Sequence, residues 1–376
     1  MSERKNIPQK TKIALVAKSG GICEFLGCNE NLFEDDVTKT QINFSEMAHI
    51  IASSPKGTRG DEELSPKLQI EESNIMLLCP KHHKMVDEDG KKYSKEKLTE
   101  MKVKHEKYIK KLKNIKKDRG VVVVIYRANV SNRIYTFTPD DIDMSLYKQD
   151  YYEQERICFS GCIYDEGEED YYNQEVQYLK QQYDIHIKQR QKDEAICNKY
   201  LLYAFAPQPL LIYIGMLFSD ISNVEVQQLQ RLPIREWYLS SNAKNSKIEY
   251  KIYEPQEIKS KKIALNLSIT ANISDDRIKE TLGEDVDIWK IESNIHGNDI
   301  IKNKSDIDAY RKVIFTVYED IKDKYGRNCE INIFPAMPIA IAVETGRVWM
   351  KKSHPKLIIY DEKNGFKKCL EIEGGK

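Results

Sequence analysis

The sequence predicts an α/β protein built in three parts. A compact Cys- and His-bearing zinc-knuckle unit occupies residues 1–94, a long basic connecting helix residues 95–119, and a larger α/β unit residues 120–376. Three observations predict this. Cys23-x4-Cys28 and Cys79-x2-His82 sit among short elements broken by turns, and the stretch from Ser94 to Gly120 holds neither Pro nor Gly. From Val121 onward, β-branched runs alternate with helical stretches, the pattern of strands buried on both faces of a sheet.

The first helix falls near Gln9 to Lys18 and ends at the turn Ser19-Gly20-Gly21, and Ser53 to Asp61 is a loop by its Pro and Gly content. In the connecting helix Leu98, Met101, His105, Tyr108, Leu112 and Ile115 recur at spacings of three and four, a heptad-like seam. Such a seam packs either on its own domain or on a second copy of the chain.

Strands are expected at Val121–Tyr126, Lys199–Tyr203, Ile263–Ile269, Glu330–Phe334 and Leu357–Tyr360. Within this region Ala206-Pro207-Gln208 follows one strand and leads through an apolar helix to Gly215, and Met337-Pro338-Ile339 follows another and leads to Gly346. In both copies the proline precedes the glycine by eight residues. Two copies of strand, proline turn and glycine-ended helix imply two Rossmann-like halves, about 120–250 and 251–376.

A chain of 376 residues is long enough for two or three compact units. No stretch approaches the roughly 20 apolar residues of a membrane span, and Met1-Ser2-Glu3-Arg4-Lys5 lacks a signal-peptide core, so a cytoplasmic protein with no membrane partner is expected. The net charge is zero, yet residues 1–119 hold 24 Lys and Arg against 19 Asp and Glu, leaving residues 120–376 at −5. A basic first third suits a polyanion. Eight cysteines in such a chain are expected to be reduced, so the clustered ones point to metal. Cys158, Cys162, Cys197, Cys329 and Cys369 are scattered and read as core or surface thiols.

Cys23, Cys28, Cys79 and His82 form a four-ligand set of the kind that holds structural Zn²⁺ in tetrahedral geometry. His49 is expected at a strand end as the general base that takes a proton from water during phosphodiester hydrolysis. Asn74 is placed to orient His49 by a hydrogen bond. His83, one residue past the zinc ligand, is placed to bind a catalytic divalent cation, most naturally Mg²⁺. Arg59 and Lys84 are candidates for DNA phosphate contact.

On these residues, positions 20–90 resemble the HNH, or ββα-metal, nucleases. The resemblance implies His49 as base, Asn74 as its orienter and His83 as metal ligand. Many members carry Asp before the first histidine; here Ala48 stands there, and Glu46, Asp61, Asp87, or water and substrate oxygens take its place. The segments Ala264–Ala271, Ile333–Ala340 and His354–Tyr360 resemble the SAVED domain, a cyclic-oligonucleotide sensor of two fused CARF-like halves. The whole chain is thus similar to the HNH–SAVED effector nucleases of bacterial antiphage CBASS systems. That implies a cyclic di- or oligonucleotide activator, ligand-driven oligomerisation and destruction of double-stranded DNA.

Open α/β sheets bind ligands beyond the C-terminal strand ends. The expected ligand contacts are accordingly Gln208, Thr270, Ala271, Pro335, Ala336 and Met337, where helix-terminal amides receive phosphate. Trp349, Lys351 and His354 are expected to add stacking and charge. Two other readings fit the motifs: a modification-dependent HNH restriction nuclease, and a zinc-knuckle DNA-binding sensor without catalysis.

Overall fold

The computed structural model describes residues 5–35, 37–114, 119–130, 138–161, 170–190, 199–219, 223–240 and 246–374. The chain divides into two compact units, Met1–Lys116 and Lys117–Lys376.

The first unit runs α1 (Gln9–Ser19), β1 (Glu46–His49), α2 (Leu64–Leu68), β2 (Ile75–Leu78), α3 (Pro80–Glu88) and α4 (Lys95–Asn114). β1 and β2 pair antiparallel, with Glu46 opposite Leu78 and His49 opposite Ile75. The run Ile-Met-Leu-Leu makes β2 buried at every residue. Cys79 then caps α3, and Pro80 takes a first-turn position, where a missing N–H costs nothing.

The helix expected as a connector falls in this unit as α4. Leu98, Met101 and Ile109 are buried there, and His105 Nε2 lies 2.9 Å from the Ser19 carbonyl. Tyr108 and Leu112 of the same seam are exposed. Ile115 lies outside the described residues, as do Cys162 and Cys197.

The second unit begins with β3 (Gly120–Arg127), α5 (Pro139–Gln149), β4 (Tyr152–Ser160), α6 (Tyr171–Tyr183), β5 (Tyr200–Phe205), α7 (Gln208–Leu217), β6 (Val224–Val226), β7 (Leu229–Gln230) and β8 (Glu236–Trp237). It continues with β9 (Tyr250–Tyr253), β10 (Lys262–Ser268), α8 (Asp275–Leu282), β11 (Asp287–Ser293), α9 (Lys304–Tyr325), β12 (Glu330–Ala336), α10 (Ile339–Val348), β13 (Lys356–Glu362) and β14 (Phe366–Ile372). One sheet, ordered β4-β3-β5-β6, is parallel throughout. The other, β14-β13-β12-β10-β11-β9, is parallel at its centre and closed by antiparallel edge strands β9 and β14.

The five expected apolar runs form β3, β5, β10, β12 and β13, five of the six interior strands of the two sheets. Sequence patterning missed the interior strand β11, the edge strands β4, β6, β9 and β14, and the short β7 and β8. β4 is an edge strand rich in Glu and Arg, and β11 alternates buried and half-buried residues.

The duplicated proline and glycine acquire a physical reason here. Pro207 and Pro338 stand at the N-caps of α7 and α10, each helix following an interior strand of its own sheet. The helices cross at their glycines. A Cβ on Gly215 would lie 1.9 Å from the Val343 carbonyl oxygen, and one on Gly346 1.8 Å from that of Ile212. Backbone meets backbone, so only glycine fits at either position.

Candidate functional site

In the first unit, Cys23, Cys28, Cys79 and His82 bring their ligand atoms within 4.8 Å of one another. His82 Nδ1 is 3.2 Å from Cys79 Sγ and 3.8 Å from Cys23 Sγ, close to the ~3.8 Å between donors around a tetrahedral zinc. Phe25 stacks on the His82 ring at 4.1 Å and fixes its plane. The Cys79 amide donates to Cys23 Sγ at 3.3 Å, a bond that favours thiolate. Burial pushes the Cys23 and Cys79 thiols up and the His82 imidazole down. Three soft sulfurs and a neutral imidazole fit zinc, whose binding would expel the thiol protons.

His49 ends β1, and its Nε2 lies 2.9 Å from the Gln69 carbonyl oxygen. A carbonyl only accepts, so Nε2 carries the proton and Nδ1 is the basic nitrogen of the neutral ring. Gln69 therefore does the orienting that was expected of Asn74. The Asn74 carboxamide is buried and committed to backbone: Oδ1 accepts from Ile51 N at 2.8 Å, and Nδ2 donates to Ile51 O at 2.9 Å and Leu68 O at 3.3 Å. It braces the loop that leaves His49.

His83 stands on α3 between two carboxylates, with Nδ1 3.8 Å from Glu46 Oε2 and Nε2 3.5 Å from Asp87 Oδ2. Asp61 drops out as a replacement for the missing aspartate. Its Oδ1 accepts the Leu64 and Glu63 amides at the start of α2, which holds its carboxyl below the usual range. Imidazole and carboxylate oxygen suit Mg²⁺ or Mn²⁺ completed by water. Whichever ring nitrogen took the cation, the other would face a carboxylate, the usual outer partner of a metal-bound histidine.

Arg59 is not available for the phosphate contact expected of it. Its side chain is 6% exposed, and its guanidinium donates to the carbonyls of Ile50, His49 and Val86 and to Asp87. Lys84 remains an exposed cation, 3.7 Å from Glu88.

In the second unit a cavity of 230 Å³ opens at the C-terminal ends of β5 and β12, lined among others by Phe205, Pro207, Gln208, Gln228, Arg231 and Met337. Two of the expected contacts, Gln208 and Met337, line it. Pro335, Ala336 and Thr270 lie beside it in a strand-end junction where Thr270 N donates to Ala336 O at 2.7 Å. Ala271 is exposed.

Trp349, Lys351 and His354 do not belong to this site. They follow α10, which runs back against the strands and returns the chain to the start of β13, at the opposite end of the parallel strands. Trp349 is fully buried and donates to Pro355 O at 2.8 Å. His354, also buried, accepts from Met350 N at 2.9 Å and bonds Glu319 at 2.8 Å. Lys351 is exposed in the turn between them.

Sequence reading missed Gln228, Arg231, Asp361 and Glu362 among the lining residues. Gln228 is 1% exposed; its Oε1 accepts from Ala340 N at 3.0 Å, while Gln208 Oε1 accepts from Met337 N at 3.0 Å. Two glutamine oxygens thus occupy amides at the start of α10 that the sequence marked for phosphate. The available signal was Gln227-Gln228-Leu229-Gln230, three carboxamides in four residues, because most buried carboxamides are hydrogen-bonded.

Two sheets joined through crossed helices, with a cavity at their C-terminal strand ends, describe a duplicated α/β module with its opening where such sheets place their ligand sites. The model of the SMODS-associated and fused to various effectors sensor domain, SAVED, matches residues 179–372. The chain belongs to the SAVED family.

Among solved structures it is similar to the Acinetobacter baumannii Cap4 SAVED/CARF-domain receptor holding the cyclic trinucleotide 2'3'3'-cAAA. Identity there is 12% and TM-score 0.45, over 83% of this chain and 66% of that one. It is also similar to the Moraxella osloensis Cap4 receptor, at 10% identity and TM-score 0.41, over 74% and 61%. The chain thus spans about two thirds of the length of these receptors. No curated protein matches it. No helix among the described residues is long and apolar enough to cross a membrane.

Proposed function

We propose that the protein is a cyclic-oligonucleotide-activated, metal-dependent DNA endonuclease in which the SAVED unit receives the signal and the first unit cuts double-stranded DNA. The observation that carries the nuclease reading is the histidine pair of β1 and α3. His49 is held by Gln69 O in the tautomer that leaves Nδ1 basic, and His83 stands between Glu46 and Asp87.

In this reading His49 Nδ1 takes the proton of the attacking water. His83, with Asp87 or Glu46, would hold a divalent cation, which when bound would supply Lewis-acid stabilisation of the phosphate and leaving oxygen. Asn74 and Gln69 keep the base in place. The Cys/His knuckle would hold Zn²⁺ and so fix the start of α3, where His82 and His83 diverge. Lys84 offers a phosphate contact.

The sensor reading rests on family membership and on the cavity at the strand ends. At 230 Å³ the cavity is smaller than the ~300–1,000 Å³ of ordinary ligand pockets. A cyclic di- or oligonucleotide would therefore seat one base or phosphate there and lie across the rim, where Arg231 offers charge. Cutting both strands calls for two active sites, which makes ligand-driven self-association the natural gate.

The test is plasmid cleavage by the full chain with Mg²⁺ across a panel of cyclic di- and trinucleotides, with a no-ligand control and His49→Ala. Cleavage with one ligand and none in the variant is expected. Cleavage indifferent to every ligand but dependent on DNA base modification would instead favour the restriction reading.

A further inference from the structure

We infer that Arg59 is a positioning residue that locks the strand of the base to the helix of the cation ligand and holds Asp87 toward His83; the inference rests on the nuclease reading. The bonds are specific. Nη2 donates to His49 O at 3.1 Å and to Asp87 Oδ1 at 3.2 Å, Nε to Ile50 O at 2.9 Å, and Nη1 to Val86 O. One guanidinium therefore bridges the end of β1 and the last turn of α3.

Each end has its own reason to recruit an arginine. The last four carbonyls of a helix lack intrahelical donors, and Val86 is among them in α3 (Pro80–Glu88). A cation there also meets the negative end of the helix dipole. At the β1 end, the chain leaves its pairing with β2 at His49, so the His49 and Ile50 carbonyls need donors from outside that ladder. Only the planar fork of arginine presents several N–H groups in fixed directions to such a set; a lysine ammonium is a single point charge. Thr58 reinforces the same junction by donating to Asp87 O at 3.3 Å.

The consequence for the site is a fixed carboxylate. Asp87 itself is 56% exposed and would otherwise sample several rotamers, but Oδ1 is tied to Arg59 while Oδ2 lies 3.5 Å from His83 Nε2. Asp87 and His83 are four apart on one helix and share a face. Together they form a preorganised nitrogen–oxygen pair, with Glu46 on the other ring nitrogen as outer partner.

The test measures Mn²⁺ binding to zinc-replete full-length protein by electron paramagnetic resonance, for wild type, Arg59→Lys, Asp87→Asn and the double variant, with zinc content and thermal unfolding alongside. Arg59→Lys is expected to weaken Mn²⁺ binding about 10-fold or more, the usual cost of losing an outer-sphere partner, with zinc retained. Asp87→Asn, a surface change that leaves the buried junction filled, is expected to weaken binding at least as much, and the double variant no more than Asp87→Asn alone. Wild-type Mn²⁺ binding with Arg59→Lys unchanged overturns the inference and leaves the nuclease reading standing; so does an unchanged Asp87→Asn should the lysine variant fail to fold. A wild type that binds no Mn²⁺ overturns the nuclease reading and the inference with it.

Discussion

The two units cover their hydrophobic interiors by different means. The first has a sheet of two four-residue strands, and its buried cluster includes Cys23 and Cys79 themselves. The second has sheets of four and six strands, with α7 and α10 buried along most of their length. A small unit buries little apolar surface, so in the proposed reading zinc on these donors would add to what packing supplies in the first unit. In the second unit packing holds the fold, and the cavity is left over where strands end.

The comparison predicts where each unit breaks. The largest effect belongs to Cys79→Ser or to chelation, because structural zinc contributes on the order of 10 kcal/mol of folding free energy. Calorimetry of the full chain should lose the first unit's transition and keep that of the second. Two intact transitions with zinc gone would erase the contrast.

Next comes Gly346→Ala, which sets a methyl against the Ile212 carbonyl. It should cost the second unit about 3 kcal/mol or more, seen in urea unfolding, while zinc content stays normal. Smaller again is Gln228→Leu. It strands the Ala340 amide at the cavity wall and should cost about 1–3 kcal/mol, with weaker ligand binding by calorimetric titration.

The smallest effect is a pH dependence at His354. Burial depresses its pKa despite the Glu319 partner, so the folded state favours the neutral ring. That stability is fully present above the unfolded value near 6.5 and is lost as pH falls through the depressed folded value. Thermal unfolding of the second unit should therefore decline on acidification below pH ~6.5, and His354→Asn should flatten the slope.

The same contrast explains what was legible in the sequence. Cys23, Cys28, Cys79 and His82 were readable because ligand chemistry restricts residue type and spacing. The strand-end place of His49 was also readable, from the short apolar stretch around it. The partners were not. Gln69 orients His49 through a backbone carbonyl that every residue possesses, and Arg59 on the page is only one basic residue in a loop. In the second unit the interior strands other than β11 and the Pro207/Pro338 and Gly215/Gly346 pairs stood out, since sheet burial and helix crossing demand them. The polarity of α10 was the step that failed: Trp349 and His354 lie a helix length from Met337, so residue type suggested a site that direction of travel forbids.

The most direct test of the account couples the two units in one titration. Binding of the activating cyclic nucleotide and plasmid cleavage would be followed together in wild type, His49→Ala and Gln208→Trp, the last filling the 230 Å³ cavity. The account predicts that His49→Ala binds normally without cutting, while Gln208→Trp needs proportionally more ligand for both binding and cleavage. Cleavage that proceeds without ligand, or that survives in His49→Ala, would contradict it.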